Sequence, residues 1–461
     1  MECANGAAAP PGLLVASAGH LALPNRAHLC GLWPKNPCSP RFVSFISFVA
    51  IAHFGAENRV NGFFCPASFP VADHQSHRPK RANTCGTMNS PCLILHVVFS
   101  LEPGGMENGL VNVARRLDPA EFTVHVCCLE RAGEFLRRLP PSVGVTVLGK
   151  EGGMSLVTIL KLRGLLGRLQ PAVIHTHNLG PLFYAALARS AAPSAALLHG
   201  EHGMLTPREQ TGWRFWLRRL LYRRCTAVHT VSQTLLRYYQ ERGFHHPQML
   251  AILNGVDSER FTPGDRAAAK ESAGLPNASL VVGMMGSFQR RKKHQEVIEA
   301  FQNIAAEFPL AHLLLVGARG SESERIMQQI HSSPHANRIH IVPFQDDPLG
   351  YYRAMDLLVV ASENEGLSNA ALEAMACGVP VLAGEACGNS EIITSGKDGL
   401  LATLNTPEAI ANALRQCLKK PLQLAHWGQQ AKQTVLQRFR VADMAAQYAS
   451  LYRKLAVQQY H

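Results

Sequence analysis

The stretch Glu363-Asn364-Glu365-Gly366-Leu367-Ser368-Asn369-Ala370-Ala371-Leu372-Glu373-Ala374-Met375-Ala376-Cys377-Gly378-Val379-Pro380-Val381 decides how this 461-residue chain is read. An apolar strand-like run, Leu357–Val360, ends just before it, and Val381–Ala383 begins another. Between them Glu365-Gly366 reads as a tight turn. Ser368 or Asn369 reads as the cap of a helix that runs to Gly378. The free N–H groups at such a helix start point into a cleft and make an anion site where a diphosphate could rest. Glu365 and Glu373 have seven residues between them; one sits in the turn and the other just over a turn into the helix. They can therefore meet one elongated ligand at two points. Carboxylates accept pairs of hydrogen bonds from vicinal diols, which suits ribose and sugar hydroxyls.

The same alternation of apolar β-rich runs and amphipathic helical ones extends in both directions. Upstream, Ile94–Phe99, Phe122–Leu129, Val143–Leu148, Val173–His175, Ala196–His199 and Ala227–Val231 read as strands. Asn108–Leu117, Val157–Leu169, Pro181–Ser190 and Trp213–Arg224 read as helices between them. Ile252–Asp257 with Thr262-Pro263-Gly264 reads as strand, turn and linker. Val281–Met285, His312–Val316 and Ile339–Val342 then open a second series, and Val435–Leu455 reads as one long terminal helix. Continuous apolar runs predict parallel strands covered on both faces. The fold class expected is α/β: two Rossmann-like, doubly wound domains facing a cleft, with ligand at the carboxyl ends of the strands.

Composition limits the alternatives. The chain is 47% hydrophobic and 17% charged, which excludes long disorder and fibrous repeats. It has no run of eighteen apolar residues, so no transmembrane helix is expected. Net charge is +12, of which residues 88–260 carry +7 and residues 261–461 only +1, so an anionic partner is expected on the first half. Residues 1–87 show no sustained period, and six of the 12 cysteines fall in the first 92 residues without zinc spacing or a signal peptide before them. We read 1–87 as an unstructured or misassigned extension and Met88 as the true start. The later cysteines read as core thiols of a reducing, cytoplasmic compartment.

Several chemistries lack their signatures. There is no Walker loop, no His-Glu-x-x-His, no Gly-x-Ser-x-Gly elbow and no Gly-x-Gly-x-x-Gly after the first strand. Nucleic acid is not an expected partner, since the basic residues lack interleaved stacking aromatics on a recognisable module.

The Glu365–Val381 string resembles the Glu-x7-Glu and Ala-Met-Ala-x-Gly-x-Pro-Val signature of retaining nucleotide-sugar glycosyltransferases of the GT-B fold, in particular glycosyltransferase family 4. The resemblance runs from Met88 to the C-terminus. It implies domains at 88–256 (acceptor side) and 257–440 (nucleotide-sugar side), with 441–461 a helix packing back on the first domain. It implies that Glu373 holds the ribose diol and Glu365 the transferred sugar, with the amides of Gly366, Leu367, Ser368 and Asn369 on sugar and phosphates. Gly286-Ser287-Phe288-Gln289-Arg290-Arg291-Lys292 is similar to the family's Gly-Arg-Leu-x-x-x-Lys segment, which neutralises the diphosphate. Lys292 falls on the Lys position and Ser287 on the Arg position, so Arg290 or Arg291 would have to reach in instead. Gly104-Gly105-Met106-Glu107 resembles the Gly-Gly-x-Glu turn at the donor diphosphate, and His202 in His199-Gly200-Glu201-His202-Gly203 aligns with a His on the donor sugar. That string also resembles bacterial members tied to exopolysaccharide loci. His175, His177 and His199 read as structural histidines.

The expected activity is transfer of a hexose from a nucleotide sugar, UDP-linked, to a glycan or lipid-linked acceptor in polysaccharide synthesis. Catalysis would use Glu365, Lys292 and His202, with no cofactor and no metal, since no Asp-x-Asp clamp is evident. Alternatives are a nucleotide-sugar epimerase, a sucrose-type synthase, or a degenerate, non-catalytic member. The aromatic and basic run Trp213–Arg224 reads equally as a helix on anionic lipid at the inner face of the plasma membrane, or as a surface helix with Leu217, Leu220 and Leu221 inward and its Arg residues solvated.

Overall fold

The computed structural model describes residues 91–207, 209–317, 319–363, 365–385 and 388–457. The reading of 1–87 lies outside them. β1 (Cys92–Val98) passes through a glycine turn into α1 (Gly105–Ala114) and β2 (Phe122–Cys128). β3 (Gly144–Val147), α2 (Leu156–Leu169), β4 (Val173–His177) and α3 (Leu179–Ala188) follow. β5 (Ala196–Glu201), α4 (Trp213–Tyr222), β6 (Ala227–Thr230), α5 (Gln233–Glu241) and β7 (Met249–Ala251) complete the series. All pair in parallel in the order β3-β2-β1-β4-β5-β6-β7, with Ile94 of β1 opposite Val124 on one side and Val173 on the other.

The second half repeats the scheme. α6 (Arg266–Ser272), β8 (Leu280–Met285), α7 (His294–Ile304), β9 (Ala311–Val316), α8 (Ser323–His331) and β10 (Ile339–Val342) come first. α9 (Leu349–Ala354), β11 (Leu357–Val360), α10 (Asn369–Ala376), β12 (Val381–Gly384), α11 (Asn389–Ile392) and β13 (Gly399–Ala402) complete the sheet. Its parallel order is β10-β9-β8-β11-β12-β13. α12 (Pro407–Leu418), α13 (Pro421–Arg438) and α14 (Val441–Val457) close the chain. These are the two doubly wound α/β domains that the continuous apolar runs predict. Strand residues such as Ile94, Leu95, Leu313 and Leu358 are fully buried because helices cover both faces. Strand order reverses between β1 and β4 and between β8 and β11, and in such sheets ligands bind at the carboxyl ends beside that reversal.

Three readings of the sequence are corrected. Val435–Leu455 is not one helix, because α13 ends at Arg438 and α14 starts at Val441. The break is made by the main chain: the Val256 N–H donates to the Phe439 carbonyl at 2.8 Å and the Val441 N–H to the Val256 carbonyl at 2.9 Å. A Cβ on Gly255 would lie 2.7 Å from the Arg440 carbonyl oxygen, so glycine permits this close crossing. From there α14 packs Met444, Tyr448, Tyr452 and Leu455 into the core beside β1 and β2. Second, the strand read at Ile252–Asp257 lies earlier, at Met249–Ala251, and α5, α6, α13 and β13 were not anticipated. α5 and α6 announce themselves through caps rather than apolar period: Ser232 Oγ accepts from the Leu235 N–H at 3.0 Å, and Asp265 from Ala267 and Ala268. Third, the surface-helix reading of the Trp213–Arg224 run does not hold whole. Leu221 is buried, but Leu220 is exposed, and Arg218 is sealed inside against Glu201 and Glu209.

Candidate active site

Both sheet reversals carry the segments singled out above. After β11 the chain turns at Glu365-Gly366, and Ser368 caps α10, its Oγ accepting from the Ala371 N–H at 3.3 Å. A Cβ on Gly366 would sit 2.6 Å from the His202 carbonyl oxygen, so only glycine lets this turn lie against the first domain. Glu365 in turn forms an antiparallel bridge with Gly203. The loop after β8 bends at Gly286, whose φ of 135° disfavours side chains, into a short 3₁₀ turn over Arg290–Lys292. That turn delivers Lys292 onto the Glu365 carboxylate, with Arg291 3.4 Å from the same oxygen. Burial alone would raise the Glu365 carboxyl, but the Lys292 and Arg291 charges hold it below its ordinary value.

Glu373, one turn and more into α10, accepts from the Tyr352 hydroxyl at 2.7 Å and from Asn108 of α1 at 3.3 Å. Burial raises its carboxyl, partly offset by the Tyr352 hydrogen bond. In the first domain Gly104 caps α1 with extended backbone, and Asn369 Nδ2 donates to the Gly105 carbonyl at 2.8 Å. The N-termini of α1 and α10 therefore face each other across the cleft, and both present unpaired N–H groups and positive dipole ends. Beneath that turn burial pushes the Glu107 carboxyl up to about 7. His202 follows β5, accepts or donates at 2.9 Å between its Nε2 and His177 Nδ1, and burial pushes its pKa down to about 4.

The structure thus gathers Glu365, Lys292, Arg291, Gly366, Ser368, Asn369, Glu373, Gly104, Gly105 and His202 at one cleft. Arg290 does not join them: its guanidinium is turned to Gln295 at 3.2 Å and Glu296 at 3.0 Å. Successive residues on a tight turn point to different sides, and Arg291 takes the inward one. Ser287 is half-buried in the loop between Gly286 and Lys292. Leu367 buries its side chain, so it offers the cleft only its backbone.

Two features escaped the sequence reading. Asn108, one turn into α1, reaches across to Glu373. Glu201, at the end of β5, is 2% exposed and accepts from Arg218 at 2.8 Å, the Tyr222 hydroxyl at 2.8 Å, His199 at 3.1 Å and the Tyr239 hydroxyl at 3.0 Å. Its signal was available: a carboxylate closing an otherwise apolar buried strand requires a cation. Among the described residues His96, His175 and His177 are the group whose ring nitrogens come within 4.8 Å of one another, as a metal site would require. One such pair, His96 Nδ1 and His177 Nε2, is already at hydrogen-bond distance, 3.0 Å. That is shorter than two nitrogens of one tetrahedral zinc ion stand, roughly 3.3–3.4 Å from bonds of about 2.0–2.1 Å.

Two family models match adjacent parts of the chain: Glycosyltransferase Family 4 over residues 103–260 and Glycosyl transferases group 1 over residues 265–434. The chain belongs to the family 4, group 1 glycosyltransferases. Its domains have the GT-B fold. Anabaena HepE, solved in complex with UDP and glucose, superposes with a TM-score of 0.68 at 22% identity, covering 78% of this chain and 98% of its own. Among curated relatives, the chain is similar to N-acetyl-alpha-D-glucosaminyl L-malate synthase of Bacillus anthracis, 28% identical over 49% of this chain and 59% of that enzyme. It is also similar to D-inositol 3-phosphate glycosyltransferase 2 of Catenulispora acidiphila, 29% identical over 62% of this chain and 65% of that enzyme. The chain spans about six-tenths of the length of these two curated relatives. Among the described residues no helix is long and apolar enough to cross a membrane.

Proposed function

We propose that the protein transfers a hexose, with retention of anomeric configuration and without a metal ion, from a UDP-linked donor to a glycan or lipid-linked acceptor in polysaccharide synthesis. The observation that carries this reading is the meeting of Lys292 and Arg291 with the opposed N-termini of α1 and α10, directly beside Glu365 and Glu373. That arrangement supplies positive charge where a leaving diphosphate would gather negative charge, and acids where its sugars would lie. Glu373 would hold the ribose diol and Glu365 the hexose, while the diphosphate would draw Lys292 from its present partner. The acceptor hydroxyl then attacks the face from which the diphosphate departs, so no protein nucleophile is needed. Stabilising the leaving group is the largest catalytic contribution in such a design. UDP is the nucleotide with which Anabaena HepE was solved.

Incubation of the pure protein with UDP-hexoses in EDTA tests this. Slow release of hexose, with the anomeric configuration of the donor in the first-formed product by NMR, is the expected result. An isomerised sugar would instead assign an epimerase, and donor binding without turnover a non-catalytic member. Activity restored only by a divalent cation would overturn the metal-free mechanism. A small soluble anion is the second reading of the acceptor, favoured by the relatives named for L-malate and D-inositol 3-phosphate.

The membrane-side reading rests on a surface wider than α4. Trp213 and Trp216 are 52% and 65% exposed on α4, and Leu156, Val157 and Leu160 are similarly open on α2. α3 lies between these two helices and packs on both. Residues 152–200 contain no Asp or Glu, and neither does α4, whereas Lys161, Arg163, Arg168, Arg214 and Arg219 lie on α2 and α4. Exposed aromatics with unopposed cations fit the headgroup region of an anionic bilayer. Flotation with phosphatidylglycerol vesicles should recover the protein, and phosphatidylcholine vesicles should not. A Leu160→Glu/Trp216→Glu variant should lower recovery roughly tenfold, as loss of about 1.4 kcal/mol would. Equal recovery of the variant would exclude this face.

A further inference from the structure

His96, His177 and His202 form a continuous chain of imidazoles from the core to the cleft. His96 Nδ1 is 3.0 Å from His177 Nε2, and His177 Nδ1 is 2.9 Å from His202 Nε2. His96 and His177 are 1% and 3% exposed, whereas His202 is half-buried at the cleft. Burial pushes His96 down to about 3 and His177 well below its ordinary value, so all three rings are neutral near pH 7.

A neutral imidazole has one N–H and one bare nitrogen. His177 sits in the middle and uses both nitrogens, so its two hydrogen bonds must run in the same direction. The protons therefore point either outward, from His96 to His202, or inward, from His202 to His96. The inward arrangement would place an N–H on His96 Nε2. That atom is sealed from water and has no hydrogen-bond partner. A buried N–H without an acceptor is rare in folded proteins, and an under-used acceptor is tolerated more often. The outward arrangement leaves only a bare nitrogen there.

We infer that His96 and His177 are positioning residues that fix His202 with its proton on Nδ1, so that His202 offers the cleft a hydrogen-bond donor and not a base. The reason is that His202 Nε2 is occupied as the acceptor from His177, which leaves Nδ1 as its one nitrogen for a ligand. The group it recognises is an oxygen acceptor, a sugar hydroxyl or a phosphate oxygen. This builds on the proposed sugar-nucleotide cleft, but the placement of the proton does not depend on it.

The test uses full-length protein labelled with 15N at histidine, with His202 assigned by the signal lost in His202→Asn. Two-bond nitrogen–proton spectra at pH 7 should show His202 protonated at Nδ1 and bare at Nε2. His177→Leu removes the donor and should move the proton to Nε2 in a large fraction of molecules. His177→Asn places an amide N–H where Nδ1 stood and should restore the wild-type form. With a UDP-hexose donor, His177→Leu should lower kcat on the order of tenfold with KM changed less than about threefold, and His177→Asn should recover it. A wild-type His202 protonated on Nε2, or a tautomer unmoved in His177→Leu, overturns the inference. Absence of any transfer by the wild type would overturn the proposed function alone, since the spectra are read without substrate.

Discussion

Lys292→Ala is expected to lower transfer from a nucleotide sugar by about 10²–10³-fold, the usual loss when one preorganised charge aimed at a developing anion is removed. Lys292 sits at the end of a turn whose other cations are either held at 3.4 Å from Glu365, as Arg291 is, or turned away, as Arg290 is. Ser287 cannot supply the missing charge. On the proposed function Lys292 would be the principal cation for the leaving diphosphate, and Arg291 alone should sustain only residual turnover. The fold should be little affected, since Glu365 keeps Arg291 and its bridge to Gly203. A thermal midpoint within a few degrees of wild type, with kcat depressed, is the expected pair of results. Full activity in Lys292→Ala would refute the leaving-group role.

The second large effect is on stability. Glu201→Ala should cost about 3–5 kcal/mol, read as a fall in the urea midpoint with unchanged slope. The substitution strands the Arg218 guanidinium, itself 2% exposed, together with the Tyr222 and Tyr239 hydroxyls. Glu209, 3.0 Å from Arg218, remains as its partner and sets the lower end of the range. Burial by itself would raise the Glu201 carboxyl, but Arg218 and His199 hold it well below the ordinary range. A carboxyl depressed in the folded state contributes stability above the ordinary carboxylate pKa, and loses it as pH falls toward the folded value. The gap between wild type and Glu201→Ala should therefore narrow on acidification below about pH 4.5. A double change, Glu201→Leu with Arg218→Met, should recover much of the loss, because replacing both partners leaves no buried charge unpaired. A gap that stays constant to pH 3 would show that the network is not ionic.

The alternation of strands and helices was legible from apolar runs alone, because parallel strands covered on both faces leave few polar positions to blur them. The stretch opening at Glu363 could be placed on strand, turn and helix for the same reason, since its cap and glycines are local chemistry. Helices that expose most of their surface, such as α5 and α6, hid because their signal is a single capping side chain. The break at Phe439 and Arg440 was invisible, because its cause is a hydrogen-bonding partner far away in the sequence, Val256. Within the site, the adjacency of Arg290 and Arg291 left their directions open until the turn's geometry assigned one inward. The burial of Arg218 amid exposed neighbours on α4 likewise depended on Glu201, which only the sheet brings near.

The polypeptide crosses between its halves twice, and both crossings touch at Val256 and Phe439–Val441. Two tethers fastened at one place have the geometry of a door's pin, which favours swinging of the lobes over sliding. On the proposed function, opening about that pivot to admit donor or shed product would return Gly105 opposite Asn369 each time.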